Sequence, residues 1–226
     1  MTEPKIFIHV GLHKTGTTFL QEEVFQKIPN INYQRKVDLT THIEPNLINL
    51  FSDENLDGGS YRLFNDWHNR YHIAANLKKL FPDAGIIICT RDEKTWLVSA
   101  WKQYVLSYFG YSFVEYYENI SKESLDFTSY IKYLQKLFNN NVLVLHYEEL
   151  QNSPEEFVNA ICDFIGVYHI PFINKSTYPS LNNTQASLIV IFDHIFRSKI
   201  LHLGLSLLIR LVRKDPTTQK FLEKKV

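Results

Sequence analysis

The sequence predicts a three-layer α/β sandwich with a mainly parallel central sheet and additional C-terminal helices. Three observations carry that expectation. Short apolar runs bounded by turn residues alternate with longer segments of helical periodicity. The first run, Lys5 to Val10, feeds a glycine and threonine turn that opens a helix. A later run, GIIICT over Gly85 to Thr90, is apolar along nearly its whole length, as a strand covered on both faces must be.

Each element has its own local reason. After the turn Gly11 to Thr18, Leu20, Val24 and Ile28 recur every four positions and give one apolar helix face, which Pro29 ends. Asn46 to Phe51 reads as a second strand and Ser52 to Gly59 as the loop leaving it. Asn69 to Leu80 is helical, with Ile73, Leu77 and Leu80 on one side, and Pro82 and Asp83 turn the chain into the Gly85 strand. Leu97, Ala100, Trp101, Tyr104, Val105 and Tyr108 give the next helix a broad packing face, with Gly110 as its stop. A helix over Phe127 to Phe138 precedes the strand Val142 to Leu145. Ser153, Pro154 and Glu156 then supply an N-cap, a first-turn proline and a capping-box acid for a helix facing inward through Phe157, Ile161, Phe164 and Ile165. No repeat or linker interrupts the pattern, so residues 1–226 read as one domain with 181–226 as a helical C-terminal extension.

Composition narrows the function. The chain has 226 residues, and Lys plus Arg equals Asp plus Glu at 24 each, so a general polyanion-binding surface is not expected and an anion site must be local. Nucleic acid is therefore not an expected partner. Cys89 and Cys162 form neither a disulfide framework nor a metal motif, and there is no HExxH pattern, so no metal is expected. No signal-peptide pattern or run of about 20 apolar residues is present, which predicts a cytoplasmic protein. The basic and apolar stretch around Arg197, Lys199, Leu205, Leu208, Arg210 and Arg213 suits peripheral contact with the inner face of a membrane, a homo-oligomer interface, or core packing.

The turn GLHKTGTT carries the chemistry. A strand, a Gly-rich turn and a helix start together place backbone N–H groups around one point where a helix end also favours an anion. Lys14 stands before Gly16, whereas the usual ATP-binding loop has lysine directly after its last glycine, which weakens a kinase reading. Lys14 can reach a bridging phosphate oxygen, while the hydroxyls of Thr15, Thr17 and Thr18 and the backbone of Gly16 suit the nonbridging oxygens. In a second segment, Arg62, Asn65, Trp67, His68 and Arg70 combine charge, hydrogen bonding and an aromatic plane. That mixture suits an acidic or hydroxylated glycan, with Arg62, Trp67 and His68 as the substrate-binding residues, though an ordinary polar connection fits it too.

The string IFIHVGLHKTGTTFLQ closely resembles the 5'-phosphosulfate loop of the sulfotransferases that use 3'-phosphoadenosine 5'-phosphosulfate (PAPS), and is most similar to the bacterial and Golgi-type carbohydrate enzymes. Arg91 at the end of GIIICT, with Ser99 eight positions later, resembles that family's 3'-phosphate segment. SAWKQY from Ser99 and VLVLHYEEL from Val142 continue the likeness, with Tyr147 and Glu148 read as loop supports. Asn174, Lys175 and Ser176 resemble a further loop that closes the nucleotide pocket.

The resemblance implies a P-loop-like sandwich, PAPS as sulfuryl donor and 3'-phosphoadenosine 5'-phosphate (PAP) as product. It implies Lys14 as stabiliser of the leaving oxygen and Glu54, in the loop SDEN, as general base, with Asp53 its local competitor. His13 supports the donor or acceptor pocket and is the next base to test. The absence of the C-terminal Gly-Asp-Trp segment of small-phenol enzymes favours a carbohydrate hydroxyl or amine, such as a polysaccharide precursor. A tyrosyl-protein acceptor and a noncatalytic nucleotide-binding, membrane-associated module are the alternatives.

Overall fold

A computed structural model describes residues 5–38, 41–58, 69–108, 110–171 and 182–195. They fall into two compact units: 5–100 with 119–171, and 101–118 with 182–195.

The larger unit is built on a five-stranded parallel sheet: β1 (Ile6–His9), β2 (Ile31–Gln34), β3 (Ile48–Ser52), β4 (Gly85–Thr90) and β5 (Val142–His146), in the order β2-β3-β1-β4-β5. The chain leaves β1 for the edge strand β2, returns through β3 and then passes β1 to β4 and β5, so the connections leaving the neighbours β1 and β4 run in opposite directions and the carboxyl end of β1 is a topological switch point, where ligands of open α/β sheets bind. Every residue of β4 is buried, the consequence of a central strand covered on both faces.

One face of the sheet packs Phe7, Leu50, Ile87, Cys89 and Leu145 against the helical segment after β1 and against α7 (Pro154–Ile165). The segment after β1, called α1, is α-helical over Thr17–Phe19, π-helical over Leu20–Val24 and 3-10 over Phe25–Lys27. Its expected face holds, since Leu20, Val24 and Ile28 are all buried. On strands the side chains alternate, so Ile8, Phe51, Ile86 and Ile88, also buried, face the opposite layer. That layer contains α2 (Asn69–Leu80) and α5 (Phe127–Leu137), and α3 (Glu93–Tyr108) begins in this unit. Each large apolar side chain so buried contributes roughly 1.5–3 kcal/mol of transfer free energy.

The smaller unit holds the second half of α3, α4 (Phe113–Asn119) up to Glu118, and α8 (Asn183–Ile195). The Trp101 ring meets Phe113 edge-on at 5.6 Å and its Nε1 donates to the Tyr111 carbonyl at 3.0 Å. A reciprocal cap starts α8: Gln185 N donates to Asn182 Oδ1 and Asn182 N to Gln185 Oε1. Among the described residues no helix is long and apolar enough to cross a membrane. The segment 196–226, where surface docking was expected, lies outside them.

Three expectations shift. β2 was not anticipated, because INYQ alternates apolar and polar residues over only four positions and follows directly on the turn at Pro29 and Asn30. The strand expected at Asn46 begins two residues later and ends at Ser52. Ser153 and Pro154 do start α7, but Ser153 makes no side-chain cap bond, so the capping box with Glu156 does not form. The reaching-back acid occurs one helix earlier, where Glu149 of α6 (Tyr147–Asn152) accepts from His146 N at 3.1 Å.

Polar groups also enter the core. His9 is fully buried, shares a 2.8 Å hydrogen bond with Ser52 Oγ through Nδ1, and burial pushes its pKa down from 6.5 to about 3. The unfolded chain therefore binds a proton between those values that the folded chain refuses. The stabilisation is complete above pH 6.5 and lost as pH falls toward 3. Replacing His9 with Leu removes this titration, so the melting temperature should fall less between pH 7 and pH 4.5 than in the wild type. An equal fall in both proteins, measured by calorimetry, would remove His9 from the account.

Candidate active site

Parallel pairing brings the carboxyl ends of β3, β1 and β4 side by side: His9 lies opposite Ser52 on one flank and Ile87 on the other. The segments leaving these strands therefore converge. Gly11 to Thr18 comes after β1, the acidic turn Asp53 to Asp57 after β3, and Arg91 after β4.

The glycine and threonine loop is fixed through its carbonyls. It first prolongs the ladder with β4, where Leu12 N donates to Cys89 O at 3.0 Å and Cys89 N to Gly11 O at 2.8 Å. Leu12 O accepts from Thr15 Oγ1 at 2.6 Å and Thr17 Oγ1 at 3.0 Å, His13 O from Trp96 Nε1 at 2.8 Å, and Lys14 O from Arg91 Nη1 at 3.2 Å. Thr15 O accepts from Cys89 Sγ at 3.2 Å and Gly16 O from Leu20 N at 3.0 Å. Burial pushes the Cys89 thiol up to about 12, so it stays protonated and able to donate. In a trans peptide the N–H points opposite the preceding carbonyl. Bonding the carbonyls of His13 to Gly16 inward thus turns the N–H groups of Lys14 to Thr17 to the other side of the loop.

Left-handed residues make that winding. Gly11, Lys14 and Gly16 have φ of +99°, +65° and +87°, and mixed right- and left-handed backbone of this kind forms an N–H concavity for anions. Lys14 is half-buried in it.

The threonine expectation needs correction in its details. The side chains of Thr15 and Thr17 are buried and their hydroxyl protons go to Leu12 O, so they lock the loop, and any anion contact they make comes through backbone N–H. Thr18 is exposed.

Arg91 is anchored from three directions. Nε donates to Thr95 Oγ1 at 3.0 Å, Nη1 to Lys14 O, and the guanidinium lies 4.5 Å over the Tyr147 ring. Neither bond uses Nη2. Glu148 Oε1 accepts from Asp92 N at 3.0 Å, so Tyr147 and Glu148 do support this corner. Ser99 sits half-buried two turns into α3, the helix that Arg91 precedes.

The acidic turn holds three carboxylates in three settings. Asp53 Oδ1 caps the 3-10 turn Glu54–Asp57 by accepting from Asn55 N and Nδ2, each at 2.9 Å. Asp57 is fully buried, and its Oδ2 accepts from His13 N at 2.9 Å and faces His13 Nδ1 at 2.7 Å. Glu54, between them, is half-buried. The turn abuts the loop closely: a Cβ added to Gly11 would lie 3.5 Å from both Glu54 O and Asp57 Cβ. Lys14, His13, Glu54 and Arg91 are thus gathered at one end of the sheet. Asp57 was missed by sequence reasoning; its signal was a second acid one short turn after Glu54, which carries it back toward β1.

Arg70 corrects another expectation. It is fully buried and donates to the carbonyls of Ser124 at 3.2 Å, Glu123 at 3.0 Å and Asp126 at 3.2 Å, so it is a structural clamp rather than a glycan contact. Arg62, Asn65, Trp67, His68, Asn174, Lys175 and Ser176 lie outside the described residues. Among those described, no group of three or more His, Cys, Asp or Glu could hold a metal ion.

The family model for the sulfotransferase domain matches residues 3–195. The chain belongs to the sulfotransferase domain family. A search of curated proteins finds no match. Among solved structures, a sulfotransferase from Alicyclobacillus acidocaldarius is 15% identical over 88% of this chain and 98% of its own, with a TM-score of 0.51. The mouse sulfotransferase SULT7A1 complexed with PAP is 16% identical over 85% of this chain and 65% of its own, with a TM-score of 0.48. At 15% identity the likeness to the Alicyclobacillus acidocaldarius enzyme concerns the fold alone. In the loop of this sulfotransferase Gly16 is constrained twice: by φ, and by a Cβ that would lie 2.9 Å from Leu150 Cδ2.

Gly166 shares the left-handed φ, at +78°, but has nothing within 4 Å of its added Cβ. Gly166→Ala should cost about 1–2 kcal/mol for backbone handedness alone, and Gly16→Ala more, because Leu150 must also shift. Denaturant unfolding of the two variants checks this; equal costs would show that the loop is not packed as tightly as described.

Proposed function

We propose that this sulfotransferase takes the sulfuryl group from PAPS, releases PAP, and transfers it to a hydroxyl or amine of a carbohydrate such as a polysaccharide precursor, in the cytoplasm. The observation that carries the reading is the loop Gly11 to Gly16, whose inward-bonded carbonyls turn the N–H groups of Lys14 to Thr17 to its other side, next to Arg91, which binds Lys14 O.

In this reading the 5'-phosphosulfate lies on the N–H side of the loop, and Arg91 Nη2 with Ser99 Oγ holds the 3'-phosphate. Lys14 neutralises the charge that grows on the leaving phosphate oxygen as its bond to sulfur breaks, an interaction strongest in the transition state. The acceptor oxygen or nitrogen forms the new bond to sulfur in line with that departure and gives its proton to Glu54. Asp53 is the weaker base because its carboxylate already caps the turn. The carbohydrate preference rests on the resemblance of the SDEN loop to those of glycan sulfotransferases, together with the polar, aromatic segment at Arg62, Trp67 and His68 as acceptor contacts.

The test is an acceptor screen with PAPS labelled in its sulfuryl group, offering polysaccharides, lipid-linked sugars, tyrosyl peptides and small phenols, with products identified by mass. Transfer to the sugar pools is expected. Transfer confined to phenols or peptides would overturn the acceptor class, and transfer of phosphate from ATP with PAPS inert would overturn the reaction.

With an acceptor in hand, Glu54→Gln should lose about 100-fold or more in saturated rate at nearly unchanged PAP affinity, within the range for general-base removal. Asp53→Asn should lose less and show its effect mainly in stability. The reverse order of rate losses would move the base to Asp53.

A further inference from the structure

His13 and Asp57 form a buried pair that the roles above do not use. The two residues are 44 positions apart and meet because β3 runs beside β1 and the turn Glu54–Asp57 folds back over Gly11. Their contact is double. One carboxylate oxygen, Oδ2, faces ring Nδ1 at 2.7 Å and backbone N at 2.9 Å, while Trp96 Nε1 holds the His13 carbonyl at 2.8 Å. Backbone and ring of His13 are thereby fixed relative to the loop that contains Lys14.

Burial decides what the contact means. Asp57 is 0% exposed and His13 6%, and an ionised carboxylate in such a place is costly unless a cation or strong donors face it. A 2.7 Å nitrogen–oxygen distance lies in the range of charge-assisted bonds. With Oδ2 as acceptor, Nδ1 carries a proton, which leaves Nε2 as the position through which the ring addresses anything else.

We propose that Asp57 is a positioning residue: it holds His13 with Nδ1 protonated and the ring cationic, so that Nε2–H is a second charged donor, beside Lys14, to the phosphosulfate in the loop. This rests on the PAPS reading above. The ring gives a hydrogen bond and keeps its proton, so the acceptor's proton still goes to Glu54. Several other groups act on the pair. The buried Tyr130 hydroxyl lies within electrostatic range of Asp57, and Arg70 sits 4.8 Å over the Tyr130 ring. Lys14, next in the chain, opposes a charge on His13. Asp57, Glu54 and a bound phosphosulfate favour it. Removing the carboxylate therefore tips the ring toward neutrality, at the atom that meets the donor.

The experiment uses the full chain labelled with 15N-histidine and PAP as the probe, with the His13 signals identified by their loss in His13→Gln. The free protein should show Nδ1 protonated at pH 7, and saturating PAP should shift His13 Nε2 and raise the pKa of the ring. Asp57→Asn, nearly isosteric, should lower that pKa and weaken PAP binding about ten-fold, as loss of one charge-assisted hydrogen bond does. In the double variant Asp57→Asn with His13→Gln, binding should be no weaker than in His13→Gln alone. If Asp57→Asn weakens PAP equally in both backgrounds, Asp57 does not act through His13 and the proposal is overturned. If Asp57→Asn does not fold, the wild-type titration decides, since His13 signals unmoved by bound PAP overturn the proposal by themselves. Failure of the wild type to bind PAP at all would overturn the donor reading as well.

Discussion

From Gly11 to Gly16 every backbone carbonyl is bonded into the protein, and the rest of the site depends on that inward commitment. The donors come from six different residues on β4, the turn between β4 and α3, α3, α1 and the loop itself: Cys89, Arg91, Trp96, Thr17, Leu20 and Thr15. A loop held by only one or two of these bonds could rotate its peptides and present carbonyls to an anion, which repels it. With all of them made, the polarity of the loop is set before a ligand arrives, so binding spends little on reorganisation. Arg91 shows the economy of the arrangement, because the same guanidinium that steadies the loop through Lys14 O has Nη2 outside that bond.

The sheet determines where this loop stands. The order β2-β3-β1-β4-β5 puts β1 between β3 and β4, so the acid turn and the arginine corner flank the loop without any long excursion of chain. Packing beneath the sheet does the rest: α1 and α7 bury one face, and Gly16 lies close enough to Leu150 that even a methyl group would collide. Substitutions at these packing positions should therefore reach the site by displacing the loop, without touching a ligand.

Much of this was legible in the sequence for physical reasons. The strand GIIICT is apolar because it is buried on both faces, and its bounds match β4 residue for residue; the end of α2 at Leu80, before Pro82, was equally plain. The loop was legible because few arrangements other than a strand, glycines and a helix start present N–H groups together. Three things were hidden. β2 alternates over only four residues, too few to stand out. The direction of the Thr15 and Thr17 hydroxyls depends on a carbonyl whose orientation only the folded loop defines. Asp57 went unread in a polar turn, and its distinction comes from burial against Gly11 and His13, a long-range fact that no local pattern encodes. Arg70 misled in the opposite sense, since a charged residue next to Trp67 and His68 reads as surface until the carbonyls of Glu123, Ser124 and Asp126 are seen to surround it.

The central claim is that the N–H side of the loop is the anion-binding surface. Amide hydrogen exchange resolved to single residues, with and without saturating PAP, tests it most directly. Slowed exchange at Thr15, Gly16 and Thr17, greater than at the loop amides of Leu12 and His13 that already donate to Cys89 and Asp57, is the predicted result. Tight binding of PAP with the exchange of those three amides unchanged would place the anion elsewhere and contradict the account.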